Sequence, residues 1–452
     1  MSLDLRKFFQ ATNPSRTLAV ENEEDQKYYI DFSNVRGGNI IEELKENITF
    51  FSPDEPTCEL FTGHIGCGKS TELLRLKADL EQEGFYVVYF ESSQDLEMGD
   101  VDIADILLAI AHRVSKSLEE RRINVEPTRF EQLLQGAAKV LNAEVKGFTV
   151  KVPEVGSFGA SSKEGGEFSL AFGIGEITAK AKNSPELRSK LREYLEPRTT
   201  GILEAINHEL LKPAKEKLKQ QGLQGLVVIV DNLDRVESRP KSWGRPQQEY
   251  LFVDRGEQLR QLDCHVIYTM PLALMFSNDF NTLTQRFTVD PKVLPMVPVK
   301  LRDESDCQEG MYLLRQMVLA RAFPNVTPER RLSLISEIFD TPDTLDYLCR
   351  ISGGHVRELL RLLNDWIKKN RTLPLSREGL ETVIRSRRNQ MTLAITDLEW
   401  DLLHQVKQRK QVSGDDGYQV LVRSLFVYEY RDSEGSGFEV NPLLAEAGRL
   451  NL

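Results

Sequence analysis

The chain has few cysteines, and none of them lies in a metal-binding or redox pattern. Its 452 residues include five scattered cysteines with no C-x-x-C pair: Cys58, Cys67, Cys264, Cys307 and Cys349. This spacing excludes a disulfide framework and a cysteine-based zinc site. It is typical of reduced thiols in a cytosolic protein.

Long apolar runs are also missing. The first residues, Met-Ser-Leu-Asp-Leu-Arg-Lys-Phe-Phe, contain no apolar stretch of the roughly 7–15 residues that a signal peptide needs. No segment approaches the roughly 18 uninterrupted apolar residues that a membrane-spanning helix requires. We therefore expect a cytoplasmic protein without a membrane segment.

Positive charge is in deficit, since the net charge is −11 and the isoelectric point is near 5.3. This balance argues against broad attraction to nucleic acid, although it leaves room for a local basic patch. The composition, with 40% hydrophobic and 28% charged residues, is that of a globular protein, and the length predicts two to three domains. No repeat with a period of 20–50 residues indicates a solenoid.

What is present, over the first 300 residues, is an alternation of short apolar runs with helical patterns. Strands are predicted at 58–62, 85–90, 226–230, 266–269 and 293–299. Continuous apolar runs of this kind are typical of strands that are buried on both faces. The alternation predicts an α/β fold, in which helices cover both faces of a parallel sheet.

A glycine-rich loop follows the first predicted strand and precedes a predicted helix. Residues 63–70 read Gly-His-Ile-Gly-Cys-Gly-Lys-Ser, which is the spacing of a phosphate-binding loop. The glycines let successive backbone N–H groups converge on a phosphate at a helix N-terminus. Lys69 is placed to reach the β- and γ-phosphates of ATP, and the Ser70 hydroxyl to ligate Mg²⁺. The predicted nucleotide-binding residues of this loop are Gly63, His64, Ile65, Gly66, Cys67, Gly68, Lys69, Ser70 and Thr71.

A second acidic element ends the strand at 226–230, where the sequence continues Asp231-Asn232-Leu233-Asp234. A carboxylate at the tip of a buried strand can hold Mg²⁺, and Asp231 is predicted to do so. Asp234 is the candidate to polarise the attacking water, since proton acceptance needs a carboxylate within hydrogen-bond reach. The alternative is a solvated pair of acids at a strand end.

Three more polar residues fall where such a site needs them. Thr269 ends the following strand, where its hydroxyl would position water near the γ-phosphate. Arg286 ends the helix before the last strand and would stabilise transition-state charge in a neighbouring subunit. Arg357 follows a glycine pair at the start of a helix and would face the phosphates. The alternative for both arginines is a surface position without a ligand.

The sequence pattern changes beyond the first helices. Apolar residues alternate at period two in 148–152 and 168–174, which predicts a β-hairpin insertion. Later, a helical stretch without strands precedes two helices and a second predicted hairpin. The predicted organisation is an N-terminal segment at 1–57, a P-loop core at 58–302 with the hairpin insertion at 145–182, a helical lid at 303–390 and a winged-helix domain at 391–452.

The order of these motifs resembles that of the AAA+ ATPases. The residues that carry the resemblance are the loop at 63–70, the acidic strand end, Thr269, Arg286 and Gly-Gly-x-x-Arg357. In that family they are called Walker A, Walker B, sensor 1, arginine finger and sensor 2. The chain looks most similar to the branch of replication initiators, transposon target-selection ATPases and STAND signalling ATPases, and to a group of bacterial stand-alone ATPases.

The resemblance covers roughly residues 30–390 and implies an ASCE/AAA+ core with a helical lid, followed by a C-terminal winged helix. It also implies that residues 35–41 pack against adenine, with Arg36 among the nucleotide-binding residues. Asn232 stands where the family has glutamate, which puts fast hydrolysis in doubt. No repeat or effector module is fused, so a STAND-like role would require a separate partner.

We expect an ATP-hydrolysing molecular switch that uses MgATP. ATP would close the lid, favour a homo-oligomer and reposition the winged helix toward an unidentified protein partner. The alternative is a loader or target-selection ATPase that binds duplex DNA. Residues 356–410 hold twelve Lys or Arg against seven Asp or Glu, but the predicted wing carries Glu429, Asp432 and Glu434. A metabolic kinase would share the phosphate loop, but it needs an acceptor pocket and no winged helix.

Overall fold

A computed structural model describes residues 3–125, 127–145, 170–242 and 244–450. Three short helices come first: α1 (Leu5–Ala11), α2 (Glu23–Gln26) and α3 (Ile40–Glu46). The elements that follow are β1 (Cys58–Gly63), α4 (Lys69–Gln82), β2 (Tyr86–Glu91), α5 (Ile103–Glu120), α6 (Thr128–Val145), α7 (Leu170–Asn183), α8 (Pro185–Leu195), α9 (Thr199–Ala205), α10 (Lys212–Gln220), β3 (Leu226–Asp231), α11 (Gln247–Glu249), α12 (Gly256–Arg260), β4 (His265–Thr269), α13 (Phe280–Phe287) and β5 (Lys292–Leu294).

The five strands form one sheet in the order β2-β3-β4-β1-β5, and every pair in it is parallel. All residues of β1 and β3 are buried. Successive side chains alternate between the two faces. Leu60 and Val228 join the core cluster on one face, whereas Phe61 and Val227 join the cluster on the other. The predicted α/β parallel-sheet P-loop core is therefore confirmed.

Parallel strands bring their carboxyl ends to one edge of the sheet, where α/β proteins bind ligands. The glycine loop leaves the sheet at this edge after β1. Asp231 is the last residue of β3, and Thr269 is the last residue of β4. The topology thus gathers the predicted motifs, which are distant in sequence, along one edge.

The predicted hairpin insertion at 145–182 is wrong where the structure describes it, because residues 170–183 form the helix α7. The alternation at 168–174 suggested a strand. However, Leu170, Ile174, Ile177 and Ala181 are the buried residues of one helical stripe, at spacings of four, three and four. This stripe belongs to the same core cluster as α5. The remaining part of the prediction, at 146–169, lies outside the described residues.

The last strand of the sheet is shorter than predicted, since β5 ends at Leu294 rather than at 299. Prolines at 295 and 298 lack the N–H that a ladder requires. The chain between them turns to other partners. The Met296 N–H donates to Glu429 O at 3.1 Å, and the Val297 N–H to Gly354 O at 3.4 Å. This short segment therefore attaches both later regions of the chain to the sheet.

The C-terminal part has a core of its own, formed largely by helices. Its elements are α14 (Gln308–Ala322), α15 (Pro328–Leu332), α16 (Ile335–Ile338), α17 (Pro342–Ser352), α18 (Val356–Asn370), α19 (Arg377–Thr392), α20 (Asp397–Arg409), α21 (Asp416–Arg423), β6 (Val427–Asp432), β7 (Gly435–Val440) and α22 (Pro442–Ala445). β6 and β7 form an antiparallel hairpin. Helices and hairpin thus follow in the predicted order, while the winged-helix assignment stays a prediction. No helix in the described part of the chain is both long and apolar enough to cross a membrane.

Candidate nucleotide-binding site

The loop between β1 and α4 follows a curve that requires glycine at two positions. Gly63 and Gly66 have φ values of +153° and +92°. A Cβ on Gly63 would lie 2.5 Å from the Leu294 carbonyl oxygen, and one on Gly66 would lie 2.8 Å from the His355 ring. The 14-residue helix α4 then begins at Lys69, without a side-chain cap. Its free N–H groups make this end of the helix attractive to an anion.

Lys69 is a buried cation at the centre of the site. Its Nζ donates to the carbonyl oxygens of Gly63 and His64 at 2.7 and 3.0 Å, and it lies 3.0 Å from Asp234 Oδ2. Burial opposes the charge, but Asp234 and other nearby acidic groups outweigh this effect, so the pKa of Lys69 is raised. Lys69 and Asp234 are therefore an ion pair within the loop region.

The two predicted acids lie together beside the loop. Asp231 accepts hydrogen bonds from the Tyr89 hydroxyl at 2.7 Å and from the Asn232 N–H at 2.6 Å. Asn232 has a left-handed φ of +63°, which turns the chain after β3 and brings Asp234 to Lys69. Asp234 Oδ1 is buried and has no hydrogen-bond partner among the described residues. Such an orphaned oxygen is costly without a ligand or water, so it indicates that the site is built to receive one.

Tyr89 is a site residue that the sequence did not reveal, because it stood inside an apolar strand pattern. Its hydroxyl donates to Asp231 at 2.7 Å. Burial, followed by the charge of Asp231, raises its pKa, so the phenol stays neutral. Tyr89 thus holds Asp231, one of the two predicted magnesium ligands. In the described part of the chain, no group of three or more His, Cys, Asp or Glu could hold a metal by itself.

Thr269 does not do what the sequence predicted for it. It is fully buried and does not line the cavity over the loop. Its hydroxyl accepts the N–H groups of Leu233 and Asp234 at 2.9 and 3.4 Å, and its own hydrogen points to Val230 O at 3.4 Å. The hydroxyl is occupied by the backbone, so Thr269 positions the acidic loop instead of a water molecule.

A cavity opens over the loop. Besides the loop and the acids, its walls include aromatic and apolar residues of the N-terminal segment and of the C-terminal helices, such as Tyr28, Ile30, Met317 and Leu360. Six basic and three acidic side chains line the described cavity, although the chain as a whole has a net charge of −11. An excess of positive charge beside apolar walls suits an anion that carries an aromatic group.

Arg36 and Thr71 connect the N-terminal segment to the loop. The Arg36 guanidinium donates to the Cys67 carbonyl oxygen at 2.9 Å and lies over the Phe32 ring. Burial lowers its pKa, and its Nε has no partner among the described residues. Thr71 Oγ1 accepts the Leu18 N–H at 3.4 Å. Both residues line the cavity, Arg36 from beneath the loop.

His64 and Ile65 bind other regions of the chain. His64 Nε2 accepts the Glu429 N–H of β6 at 2.9 Å. The Ile65 carbonyl oxygen lies 2.8 Å from His355 Nε2, which is the donor here because His355 Nδ1 accepts a backbone N–H at the start of α18. Burial lowers the pKa of His355 to about 4, so the ring is neutral at physiological pH. The loop is thus hydrogen-bonded to both the α18 helix and the C-terminal hairpin.

Two arginines line the cavity near the acids. Arg357 lies in the first turn of α18, and its N–H donates to the Gly66 carbonyl oxygen at 3.2 Å. Burial, followed by the nearby charge of Arg235, lowers the pKa of Arg357. Within the described residues, neither guanidinium makes a hydrogen bond or an ion pair. Arg357 was predicted from the sequence. Arg235 was missed, although it directly follows Asp234.

Arg286 lies apart from this cavity. It is exposed on α13, and its guanidinium is 3.3 Å from Glu257. The placement fits the expectation that Arg286 does not serve its own loop. Its action in a neighbouring subunit stays a prediction.

Part of the basic cluster of the C-terminal helices is paired with acids. Arg387 donates to Glu358 at 2.6 and 3.0 Å. The other pairs are Arg388 with Glu446, and Lys410 with Glu304 and Glu439. Arg385 is exposed and has no ion pair in the described structure. Of the twelve basic residues counted between 356 and 410, five form ion pairs with acids in the described structure: Arg361, Arg377, Arg387, Arg388 and Lys410.

Comparison with known proteins agrees with the P-loop assignment. Residues 38–241 match the KAP family P-loop domain, so the chain contains a P-loop NTPase domain. No curated protein shows significant sequence similarity to the chain. Among solved structures it is similar to the Aeropyrum pernix ORC2 protein in ADPNP-ADP complexes, at 13% identity over 91% of this chain and 90% of that chain, with a TM-score of 0.41. It is also similar to the Aeropyrum pernix ORC1 protein in complex with DNA, at 14% identity, 91% and 92% coverage and a TM-score of 0.36.

Proposed function

We propose that the chain is an ATP-binding and ATP-hydrolysing molecular switch whose nucleotide state controls oligomerisation and partner binding. The observation that carries the proposal is the ion pair between Lys69 Nζ and Asp234 Oδ2, which are 3.0 Å apart. The pair lines a cavity of net positive charge beside a helix N-terminus. A triphosphate would compete with Asp234 for Lys69. Binding would therefore separate Asp234 from its cation and leave the carboxylate facing the γ-phosphate.

The donor set fits a magnesium ion shared with the phosphates. Ser70 and Asp231 would supply oxygen ligands, and Tyr89 orients Asp231. Two protein ligands are too few to enclose the metal. Mg²⁺ is usually held by so few protein ligands when phosphate oxygens complete its coordination shell. When bound, Mg²⁺ would neutralise charge on the phosphate oxygens.

Asp234 is the proposed proton acceptor for hydrolysis. The oxygen of a water molecule forms a bond to the γ-phosphorus, while the bond to the bridging β–γ oxygen breaks and its electron pair leaves with ADP. The proton of the water passes to Asp234, whose Oδ1 has no partner among the described residues. Asn232 provides no second carboxylate, so we expect slow turnover.

The loop contacts support the switch. His64 and Ile65 hydrogen-bond to Glu429 and His355, which belong to the hairpin and to the start of α18. Lys69 also holds the His64 carbonyl at 3.0 Å. A phosphate that draws Lys69 away would release this carbonyl and disturb the loop next to its contact with the hairpin. We infer that the C-terminal region responds to nucleotide in this way and changes its affinity for a partner.

The variant Lys69→Ala tests the site. Loss of the ammonium should abolish detectable binding of a fluorescent ATP analogue, a loss of about a hundredfold or more, because the buried phosphates would lack their main counter-charge. Lys77→Ala is the matched control, since Lys77 lies on the same helix and pairs with Glu21 and Glu81 away from the cavity. If a folded Lys69→Ala protein bound ATP like wild type, the site assignment would be wrong.

A further inference from the structure

The residue that follows the acidic pair, Arg235, has no function in the fold that the described contacts explain. We infer that Arg235 binds the γ-phosphate of ATP from within the same subunit, opposite Arg357, and thereby distinguishes ATP from ADP. The inference rests on the proposed ATPase function and adds a phosphate-contacting residue to it.

The first argument is placement. Arg235 ends the single helical turn Leu233–Arg235, which the left-handed Asn232 starts directly after β3. Thr269 holds this turn through the N–H groups of Leu233 and Asp234. The Arg235 N–H itself donates to the Asn232 carbonyl oxygen at 3.1 Å. The backbone is thus fixed beside Asp234, and the side chain lines the same cavity as Lys69 and Arg357.

The second argument is the absence of a partner. Elsewhere in the described structure, arginines near this edge of the sheet have acceptors: Arg36 bonds the Cys67 carbonyl, and Arg75 lies 3.3 Å from Asp31. The side chains of Arg235 and Arg357 have neither a carboxylate nor a carbonyl within hydrogen-bond distance among the described residues. Arginine presents five donors, which favour a planar or multidentate oxyanion such as a phosphate.

The third argument is repulsion. Arg235 is close enough to Arg357 for its charge to help lower the pKa of the partly buried Arg357. Arg235 is exposed, so water screens part of this repulsion, and an anion between the two guanidinium groups would reduce it further. Asp234 does not relieve this repulsion, because it pairs with Lys69. A γ-phosphate between Arg235 and Arg357 would relieve it and would gain charge-assisted hydrogen bonds from both.

The consequence concerns specificity. ADP lacks the γ-phosphate, so it would leave Arg235 and Arg357 without a phosphate partner. It would still contact the glycine loop and Lys69. Recognition of ATP over ADP would then be complete within one subunit. The transition-state charge on the γ-phosphoryl group would also be stabilised in cis, the task that an arginine finger otherwise performs from outside.

The test compares ATP and ADP affinity in Arg235→Ala. Loss of the guanidinium should weaken ATP binding by roughly ten- to hundredfold and leave ADP binding within about twofold of wild type. Hydrolysis at saturating ATP should fall further, by about a hundredfold or more. Arg239→Ala is the control, because Arg239 lies four residues on and pairs with the exposed Glu237 outside the cavity. Added guanidinium ion should restore part of the activity to Arg235→Ala but none to Lys69→Ala.

The outcomes separate the two proposals. If wild type binds no nucleotide, the proposed function fails and this inference fails with it. If wild type is active and Arg235→Ala loses ATP and ADP affinity equally, or loses neither, the γ-phosphate role of Arg235 is overturned while the ATPase stands. Should the alanine variant fail to fold, Arg235→Lys replaces it. That variant keeps the charge without the fork of donors, so an intermediate ATP affinity with normal ADP affinity is expected, and unchanged ATP affinity would contradict the inference.

Discussion

The cavity over the glycine loop and the helices at the C-terminus both collect charged side chains, but they arrange them in opposite ways. Arg235, Arg357 and Asp234 Oδ1 face the cavity without a partner in the described structure. On the C-terminal helices, Arg387 and Arg388 are held by carboxylates. A charge that is already paired has little left to offer a ligand. Pairing, rather than the number of charges, therefore distinguishes a binding site from a structural network.

The comparison also changes the weight of the alternative function. DNA binding was suggested by twelve basic residues between 356 and 410. In the structure, the partners of Arg387, Arg388 and Lys410 are acids of the same chain. Competition from these acids would weaken each contact to a phosphate of DNA. Arg385 keeps an unpaired charge on the helical surface, but the two arginines named for DNA contact, Arg387 and Arg388, are already paired.

The largest effect should come from Asp234, whose Oδ2 pairs with Lys69 while its Oδ1 has no partner in the described structure. Asp234→Asn should slow hydrolysis by roughly 10²–10⁴-fold and preserve ATP binding, because the amide cannot accept the proton of water. Asp231→Asn should instead raise the Mg²⁺ concentration that is needed for activity. Both are measured by phosphate release under saturating ATP, with Glu237→Gln as the control in the adjoining segment. If Asp234→Asn turned over ATP at the normal rate, Asp234 would not be the base.

Local motifs were the part of this site that the sequence could predict. The glycine loop is eight consecutive residues whose spacing fixes both the backbone curve and the position of Lys69, and the strand before it is a simple apolar run. Asp231 and Asp234 are likewise read from one strand end. Geometry that depends on distant partners was not predictable. The Thr269 hydroxyl is taken by the backbone of residues 233 and 234, which are 36 and 35 positions away.

Two errors have the same physical origin. The pattern at 168–174 satisfies both a strand period and a helical spacing of four, and only the continued stripe at Ile177 and Ala181 shows that α7 is a helix. The basic cluster looked free because its acids are far away in sequence: Glu358 lies 29 residues from Arg387, and Glu446 lies 58 residues from Arg388. Arg235 could have been found, since it adjoins Asp234, but a single arginine in a sequence carries no sign of its pairing.

A smaller effect is expected from the paired region, and on stability rather than on ligand binding. Arg387→Ala would leave the buried Glu358 with only the longer contact to Arg361 at 3.6 Å. We expect a loss of about 3 kcal/mol in the free energy of unfolding, measured with urea, because a buried carboxylate would lose its main partner. Arg385→Ala should change stability by less than about 0.5 kcal/mol, since Arg385 is exposed and has no ion pair in the described structure.

Arg387 also tests the DNA alternative, together with its neighbour Arg388. Binding of duplex DNA is measured by fluorescence anisotropy at several salt concentrations with ATP present. If Arg387 and Arg388 contacted DNA phosphates, the double variant Arg387→Ala/Arg388→Ala would bind more weakly and with a flatter salt dependence. We expect no such change. A reduced salt slope in the folded double variant would break the contrast between the two regions and favour DNA binding over the switch function.

The smallest effect should come from Arg286. It is exposed and weakly paired, so its pairing is intermediate between that of the cavity arginines and that of Arg387 and Arg388. Its guanidinium lies 3.3 Å from Glu257, and both side chains are about half exposed, so this ion pair adds little stability. Arg286 does not line its own cavity, and its predicted action is on a phosphate bound by a second copy of the chain. In dilute protein, Arg286→Ala should therefore hydrolyse ATP at the wild-type rate. As the protein concentration rises, wild type should gain activity by several-fold and form a larger particle in ATP than in ADP, whereas Arg286→Ala should gain nothing.

Mixing Arg286→Ala with Lys69→Ala subunits sharpens the test, because each variant carries the half-site that the other lacks. Recovery of activity in the mixture would place Arg286 at a shared site. A wild-type rate that does not depend on concentration, together with an unaffected Arg286→Ala protein, would show that Arg235 and Arg357 suffice within one subunit and that no oligomer is needed.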